Sequence, residues 1–216
     1  MTHVLLVDDH QIMRQGLKAL LGDQSDFTVS EADTGRVAVG KASELSPDVV
    51  VMDLAMPGLN GIDATRQINE QNPNIKVIAL SAHTDKRMIT EALRAGASGY
   101  VPKDAAFEEL ANAIREVLAG KVYLSPKIAV AVREALNEST VHSDPSHARG
   151  RLTAREREVL QLLAEGKSTK EVAAVLHVGV KTVETHRRQM MEKLQMYSLA
   201  ELTKYAIREG ITFVEN

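Results

Sequence analysis

Cysteine is absent from this chain of 216 residues, and its apolar runs are short. Without thiols the protein forms no disulfide bond, uses no thiolate nucleophile and binds no zinc through cysteine. A membrane-spanning helix needs about 20 consecutive apolar residues, which the sequence nowhere supplies. The N-terminus also lacks the pattern of a secretory signal. We therefore expect a cytoplasmic protein with no membrane segment.

Charge is distributed unevenly along the chain, although the formal net charge is only −3. Residues 1–130 contain 13 Lys and Arg against 17 Asp and Glu, whereas residues 151–210 contain 11 against 8. An acidic first part and a mildly basic second part are compatible with a second part that meets a polyanion.

The first 120 residues alternate short apolar segments with longer helical patterns. The predicted strands are Val4–Val7, Thr28–Glu31, Val49–Met52, Val77–Leu80 and Gly99–Val101. The predicted helices are Ile12–Leu21, Gly35–Glu44, Asn60–Gln71, Asp85–Ala95 and Ala106–Ala119. Five βα repeats predict an α/β domain with a five-stranded, doubly wound parallel sheet and helices on both faces. Five strands are too few for a closed eight-stranded barrel.

The alternation ends near residue 120. Ser125-Pro126 is typical of a helix start and predicts a short helix to about Asn137, and the polar segment Glu138–Gly150 predicts a flexible linker. Residues 121–150 would thus join the first domain to an all-α domain in residues 151–216. Two capping boxes, which begin at Thr153 and Ser168, open the first two of its helices. The four predicted helices are Ala154–Glu165, Thr169–Leu176, Val180–Leu194 and Leu199–Glu209.

Polar side chains follow four of the five predicted strands. Asp8 and Asp9 follow the first strand, Asp53 the third, Ser81 the fourth and Lys103 the fifth. The carboxyl ends of parallel strands meet at one edge of the sheet, where such folds bind their ligands. Three carboxylates repel one another there unless a hard cation lies between them, and Mg²⁺ prefers oxygen ligands. The lysine indicates that an anionic group, most simply a phosphoryl group, also binds.

Phosphorylation of an aspartate needs a carboxylate nucleophile, a cation that neutralises the phosphoryl oxygens and a fixed positive group. We predict that Asp53 is the nucleophile, that Lys103 pairs with the phosphoryl group and that the Ser81 hydroxyl contacts it. The predicted ligands of Mg²⁺ are Asp8, Asp9, Asp53 and the backbone carbonyl of Ala55. The alternative is that the aspartates merely cap helices or open turns, as aspartate often does after strands.

Four motifs in this region resemble the receiver domain of bacterial two-component response regulators. They are Val7-Asp-Asp-His10, Asp53-Leu-Ala-Met-Pro-Gly58, Ala79-Leu-Ser-Ala82 and Gly99-Tyr-Val-Pro-Lys103. The resemblance spans residues 1–120 and implies a flavodoxin-like fold that takes phosphate from a histidine kinase onto Asp53. It also implies a switch in which the Ser81 hydroxyl moves toward the phosphoryl group and Tyr100 turns inward. From the residues alone, a strand tyrosine such as Tyr100 is more often half-buried packing.

The third helix of the second domain, Val180–Leu194, is amphipathic. Its predicted buried face contains Val183, His186, Met190 and Leu194. We therefore interpret His186 as a core or backbone-bonding histidine. The opposite face fits a DNA major groove, which admits one helix, although most charged helix faces are simply solvated. The predicted DNA contacts are Lys181, Thr182, Glu184, Thr185, Arg187 and Arg188.

Residues 151–212 resemble the LuxR-type four-helix DNA-binding domain. The matching motifs are Leu152-Thr-Ala-Arg-Glu-Arg-Glu-Val-Leu160, Gly166-Lys-Ser-Thr-Lys-Glu-Val-Ala173, and Thr182-Val-Glu-Thr-His186 with Lys193-Leu194. Together with the receiver motifs, the whole chain resembles the NarL/FixJ family of response regulators. The sequence departs from the family at two positions, because lysine is frequent where Glu184 stands and serine where Gly179 stands.

We predict a transcription factor rather than an enzyme. Phosphorylation of Asp53 would gate DNA binding by a homodimer, because engaging two half-sites raises affinity by avidity. One alternative is an Mg²⁺-dependent phosphohydrolase with Asp53 as its nucleophile, which would need a further acid and a pocket for an organic substrate. The other is a regulator whose helical domain binds protein. Salt-dependent DNA binding by the phosphorylated protein would distinguish these functions.

Overall fold

The computed structural model describes residues 1–82, 84–105, 107–130, 132 and 152–213. The chain divides into two compact units, one within residues 1–141 and the other within residues 142–216. None of the described helices combines the length and the hydrophobicity that crossing a bilayer requires.

The first unit is an α/β domain. Its strands are β1 (Thr2–Val7), β2 (Phe27–Ala32), β3 (Val49–Asp53), β4 (Lys76–Ser81), β5 (Gly99–Pro102) and β6 (Tyr123–Leu124). Its helices are α1 (Gln11–Gly22), α2 (Gly35–Leu45), α3 (Gly61–Gln71), α4 (Lys86–Arg94) and α5 (Phe107–Leu118). The strands are all parallel and lie in the order β2-β1-β3-β4-β5-β6. The predicted doubly wound parallel sheet is therefore confirmed.

Side chains of β1 alternate between the two faces of the sheet. Val4 and Leu6 belong to a core that includes Leu21 of α1 and several residues of α5. Leu5 and Val7 point to the opposite face and belong to a second core, which includes residues of α2 and α3. A strand covered on both faces in this way is apolar along its length, which explains the unbroken apolar runs of the sequence.

The prediction of five strands is wrong by one. Tyr123 and Leu124 form β6, which pairs with Gly99 and Tyr100 at the edge of β5. A strand of two residues shows no apolar alternation, so the sequence pattern does not reveal it. Residues 126–130 follow in helical conformation, with Ile128 fully buried, so the first unit extends past residue 120, where we placed the end of the domain. The predicted linker, residues 138–150, lies outside the described residues.

Strand order reverses at β1. The chain passes from β1 to β2 on one side and then returns to β3 on the other side of β1. The connections that leave the carboxyl ends of β1 and β3 therefore diverge, and a crevice for ligands opens between them. Asp8 and Asp9 follow β1 and Asp53 ends β3, so these carboxylates lie at the mouth of that crevice.

The second unit contains four described helices around one core. They are α6 (Ala154–Ala164), α7 (Thr169–Val175), α8 (Val180–Leu194) and α9 (Leu199–Arg208). Val172, Val183, Met190 and Leu202 are among the buried residues that bring these helices together. The predicted four-helix domain is confirmed.

Capping boxes begin three of these helices. Those of α6 and α7 are present as predicted. A third, between Ser198 and Glu201, begins α9 and was not predicted. Helix α8 instead begins after Gly179, which supplies no side-chain cap, so the first N–H groups of α8 receive no side-chain acceptor from that position.

Candidate functional site

The structure brings Asp8, Asp9 and Asp53 together at the carboxyl edge of the sheet; we call these three residues the acidic cluster. Asp8 and Asp53 are fully buried, whereas the Asp9 side chain is 26% exposed. With the neighbouring ring of His10, each residue offers a ligand atom, and these atoms all lie within 4.8 Å of one another. Oxygen atoms gathered so closely are the ligands that hard divalent cations prefer.

Lys103 lies beside two of these carboxylates. Its Nζ is 2.7 Å from Asp53 Oδ2 and 2.9 Å from Asp8 Oδ2. Burial alone would lower the pKa of Lys103, but the charges of Asp53 and Asp8 outweigh burial and raise this pKa. The ammonium group therefore stays charged at the position that we predicted for the partner of a phosphoryl group.

Asp53 is as deeply buried as Asp8. Burial raises the pKa of its carboxyl above the usual value; Lys103 opposes this shift and the charge of Asp8 adds to it. Asp53 Oδ1 accepts a hydrogen bond of 3.1 Å from the N–H of Ala55, which places the Ala55 backbone beside the carboxylate. A more basic carboxylate is also a stronger nucleophile.

Two buried carboxylate oxygens, Asp8 Oδ2 and Asp9 Oδ1, accept no hydrogen bond within the described part of the chain. Only ion-pair contacts reach them, from Lys103 and from the ring of His10. Within the described residues, Asp8 Oδ2 thus has only the Lys103 ammonium beside it and Asp9 Oδ1 only the His10 ring, so both oxygens remain able to contact a bound cation.

Arg14 is a residue of this site that the sequence interpretation missed. Its Nη1 donates a hydrogen bond of 2.6 Å to the carbonyl oxygen of Asp8, and its Nε lies 3.5 Å from Glu31 Oε1. The guanidinium group therefore fixes the backbone between Asp8 and Asp9. The only sequence signal for this role is that Arg14 lies one helical turn beyond His10, where its side chain returns toward the loop.

Gly61 allows α3 to begin directly against Asp53. A Cβ atom at this position would lie 1.9 Å from the carbonyl oxygen of Asp53, so any larger residue displaces the backbone. The N–H of Gly61 also donates a 3.0 Å hydrogen bond to the carbonyl of Leu54. The close approach of α3 thus holds the backbone that carries Asp53.

The two predicted switch residues are in contact. Ser81 ends β4, Tyr100 lies on β5, and their side chains are hydrogen-bonded. A strand tyrosine is more often half-buried. Tyr100 is instead fully buried. Burial, together with the charges of Asp85 and Asp53, raises the pKa of Tyr100 to about 12, although the Ser81 hydrogen bond lowers it.

The predicted DNA-binding residues lie on the outer side of α8. Arg187 is half-buried, and the exposed ones are Lys181, Thr182, Glu184, Thr185 and Arg188. In the part of the chain that the structure describes, no ion pair engages the three cations of this surface. The hydroxyl of Thr185 donates to the carbonyl of Lys181 at 2.9 Å, so it can offer only acceptor positions to a ligand.

The residues that we predicted to form the buried face of α8 lie on its inner side. Val183 and Met190 are fully buried, while His186 is half-buried. The Nδ1 atom of His186 has no hydrogen-bond partner among the described residues, so this atom does not make the backbone bond that we considered.

An ion pair fixes α8 to the start of α6. Lys193 Nζ lies 2.7 Å from both carboxylate oxygens of Glu156, which also completes the capping box with Thr153. Burial raises the pKa of Glu156, but hydrogen bonds from Lys193 and Thr153 outweigh burial and lower it. The exposed surface of α8 is therefore held in a fixed orientation on the domain.

Two protein families match the chain. Residues 4–115 match the response regulator receiver domain, and residues 150–206 match the bacterial regulatory proteins of the luxR family. The response regulator protein VraR of Staphylococcus aureus is 34% identical over 209 residues, which cover 96% of this chain and 97% of VraR.

Solved structures show the same similarity. A LuxR-family two-component response regulator from Aurantimonas sp. SI85-9A1 is 37% identical with a TM-score of 0.61, and the match covers 63% of this chain and 99% of that chain. RcsB from Salmonella enterica serovar Typhimurium, bound to promoter P1flhDC in the presence of the phosphomimetic BeF3−, is 25% identical with a TM-score of 0.60. That match covers 98% of this chain and 99% of RcsB, so it includes both units.

Proposed function

Because the chain belongs to the bacterial response regulators that join a receiver domain to a LuxR-type DNA-binding domain, we propose that phosphorylation of Asp53 by a histidine kinase controls its binding to DNA. The observation that carries this proposal is the ion pair between the buried Asp53 and the half-buried Lys103 at the edge of the sheet, 2.7 Å apart. We include in the proposal that the protein acts in the cytoplasm as a regulator rather than as an enzyme.

Asp53 would be the nucleophile of the transfer. One of its carboxylate oxygens forms a bond to phosphorus while the bond from phosphorus to the imidazole nitrogen of the kinase breaks, and the leaving histidine regains a proton from solvent. Lys103 supplies fixed positive charge beside the oxygen atoms of the incoming group. The raised pKa of Asp53 favours its attack, because a more basic oxygen is more nucleophilic.

Asp8, Asp9, Asp53 and the backbone carbonyl of Ala55 would hold Mg²⁺. The fit rests on the buried oxygen atoms of Asp8 and Asp9 that accept no hydrogen bond from the described residues. When bound, the ion neutralises negative charge on the phosphoryl oxygens. Arg14 keeps the backbone between the two N-terminal aspartates in place through its hydrogen bond to the Asp8 carbonyl.

Ser81 and Tyr100 would report phosphorylation to the rest of the receiver unit. The Ser81 hydroxyl lies at the end of β4 and is hydrogen-bonded to the phenolic oxygen of the buried Tyr100. A phosphoryl group on Asp53 presents strong acceptors and competes for this hydroxyl. The partnership between Ser81 and Tyr100 therefore depends on the state of Asp53.

The exposed side of α8 would enter the major groove of DNA as part of a homodimer. Lys181 and Arg188 are exposed and free of ion pairs within the described residues, so DNA phosphates or a guanine edge can become their partners. The promoter complex of RcsB supports this reading, because RcsB is similar to the chain over both units.

The test of the proposed nucleophile is incubation of the full chain with Mg²⁺ and a small phosphodonor. We expect one acid-labile phosphate by mass spectrometry, which Asp53→Asn abolishes. Asp33→Asn is the matched control, because Asp33 is an exposed aspartate that follows β2 outside the acidic cluster. An unchanged mass gain in Asp53→Asn would overturn the assignment.

The test of the proposed output is DNA binding at several salt concentrations, with and without the phosphodonor. We expect phosphorylated protein to bind more tightly and binding to weaken as salt rises. Ser81→Ala should still be phosphorylated but gain less DNA affinity, because it retains the acceptor and loses the reporting hydroxyl. Steady release of phosphate from organic phosphates would favour a phosphohydrolase, and absence of salt-dependent DNA binding would favour a protein-binding regulator.

A further inference from the structure

Strand β6 lies against one of the two proposed switch residues. Leu124 of β6 pairs in register with Tyr100 of β5. The backbone N–H of Ser125, the residue after β6, donates a 3.2 Å hydrogen bond to the carbonyl oxygen of Tyr100. The other edge of β5 pairs with β4, which ends in Ser81. Tyr100 therefore contacts the end of β4 through its side chain and the residue after β6 through its backbone.

The residues that follow β6 also contact the first unit; we call residues 121–130 the exit segment, because the chain passes through it toward the second unit. Ser125 is buried, and its hydroxyl accepts a 3.4 Å hydrogen bond from the N–H of Ile128, whose side chain is fully buried. Lys127 Nζ lies 3.1 Å from a carboxylate oxygen of Asp104, the residue after Lys103. Both side chains of this ion pair are exposed, so the pair contributes little.

The sheet holds the exit segment less firmly than it holds its other strands. Strand β6 has two residues, whereas the other five strands have four to six. Val122, which precedes β6, is 67% exposed, and Pro126 and Lys127 are exposed as well. Elements with short ladders and exposed neighbours open at little cost in free energy, and the moving parts of regulated proteins are drawn from them. A small displacement of the Tyr100 carbonyl is therefore enough to break the hydrogen bond from Ser125.

We propose that phosphorylation of Asp53 releases β6 from β5, and that this release carries the signal from the receiver unit to the DNA-binding unit. The inference rests on the proposed function, in which the phosphoryl group takes the Ser81 hydroxyl from Tyr100. Without this partner the Tyr100 ring moves, its backbone carbonyl moves with it, and Ser125 loses its acceptor. Release adds the exit segment to the length of chain between the two units, which lets the DNA-binding units of a dimer engage two half-sites together.

Hydrogen exchange of the full chain in Mg²⁺, followed amide by amide by NMR with and without a small phosphodonor, tests the release. We expect phosphorylation to speed exchange at the amides of Tyr123 and Ser125 by about fivefold or more, the lower range of coupling between two sites. The amide of Ser98, the residue before β5, is the matched control. It donates a 2.7 Å hydrogen bond to the carbonyl of Val77 on β4, so its exchange should stay unchanged.

Two substitutions of Ser125 test the consequence for DNA binding without phosphorylation. Ser125→Pro lacks the N–H that bonds to Tyr100, whereas Ser125→Ala keeps this N–H and loses only the hydroxyl that accepts from Ile128. On DNA that the phosphorylated parent binds, unphosphorylated Ser125→Pro should bind about fivefold or more tightly than the unphosphorylated parent, and the phosphodonor should add little. Ser125→Ala should respond to the phosphodonor as the parent does.

Mass spectrometry of the same samples reports whether Asp53 carries phosphate, so failure of the phosphoacceptor is distinguishable from failure of this inference. Phosphate on Asp53 with unchanged exchange at Ser125 would overturn the release of β6. Slower exchange at Ser125 would overturn it too, because β6 would then be held more firmly after phosphorylation. Equal DNA affinity of Ser125→Pro and the parent, both unphosphorylated, would show that release does not carry the signal.

Discussion

Replacing Glu156 by Gln should destabilise the DNA-binding unit. The carboxylate is 2% exposed and both of its oxygens lie 2.7 Å from Lys193 Nζ on α8. One oxygen also accepts a hydrogen bond of 2.8 Å from the N–H of Thr153, which closes the capping box of α6. A glutamine side chain retains a carbonyl oxygen for Thr153 but removes the charge that Lys193 neutralises, so the substitution isolates the ion pair.

The size of the effect follows from the unequal burial of the two partners. A hydrogen bond to a charged group contributes about 1.5–3 kcal/mol when desolvated, whereas exposed ion pairs contribute about 0–1 kcal/mol. Lys193 is 40% exposed and can turn to water when Glu156 is replaced, so solvent screening reduces the loss. We expect about 1–2 kcal/mol, which lowers the Tm of a unit of this size by roughly 4–16 °C.

The pH dependence of this loss has a definite sign. The pKa of Glu156 is lowered from its usual value of 4.5 in the folded protein. A carboxyl with a lowered folded pKa contributes stability that is present above its unfolded pKa and is lost as pH falls through the folded pKa. The parent and Glu156→Gln should therefore differ fully near neutral pH, and the difference should shrink as the pH falls below 4.5.

Differential scanning calorimetry of the full chain measures both effects. The transition of the second unit should shift in Glu156→Gln and remain in place in Glu192→Gln, because Glu192 is an exposed carboxylate on the same helix as Lys193. An unchanged Tm near neutral pH would refute the role of the ion pair. A shift that stays constant into the acidic range would show that the loss comes from packing and not from charge.

Four further substitutions test the sites. Gly61→Ala should lower the stability of the first unit by about 1–3 kcal/mol in thermal unfolding, because its Cβ would lie 1.9 Å from the Asp53 carbonyl oxygen. Arg14→Gln should weaken Mg²⁺ binding in calorimetry more than Arg14→Lys does, since the guanidinium holds the Asp8 carbonyl; equal affinity in both variants would contradict this role. If Arg188 contacts a guanine, Arg188→Ala should cost about 1–3 kcal/mol of DNA affinity and relax the specificity at one base position. If Arg188 contacts phosphate, the substitution should weaken binding to all DNA sequences evenly and make the dependence of affinity on salt shallower. Glu184→Lys should strengthen non-specific DNA binding, because it replaces a carboxylate that repels phosphate by a cation; a changed preference at a single base pair in a binding-site selection would show that Glu184 contacts a base, and an unchanged preference would show that it does not.

The parallel sheet was predictable because its cause is local in the sequence. Strands covered on both faces need unbroken apolar runs, and β1 and β3 contain them. The gathering of Asp8, Asp53 and Lys103 was predictable for a related reason, since the carboxyl ends of parallel strands share one edge. The capping boxes of α6 and α7 were predictable because each needs only a hydroxyl residue and a glutamate three positions later.

Other features depend on residues that meet only after folding. Strand β6 forms because the chain after α5 returns beside β5, and its two residues carry no alternation that would reveal it. Tyr100 is completely buried on β5, which lies between β4 and β6, and its hydrogen bond to Ser81 joins residues that are far apart in the sequence. A sequence pattern describes one segment at a time and cannot supply these neighbours.

The sequence by itself therefore determined the alternation of the first five strands and helices along the chain, the chemical types at the acidic cluster and the exposed side of α8. Tertiary structure alone decided that Arg14 would hold the Asp8 carbonyl, that His10 would face the carboxylates and that Lys193 would pair with Glu156. The physical reason is that the first group depends on apolar periodicity and caps within a few residues. The second depends on side-chain rotamers and on helix packing across the chain, which no local pattern fixes.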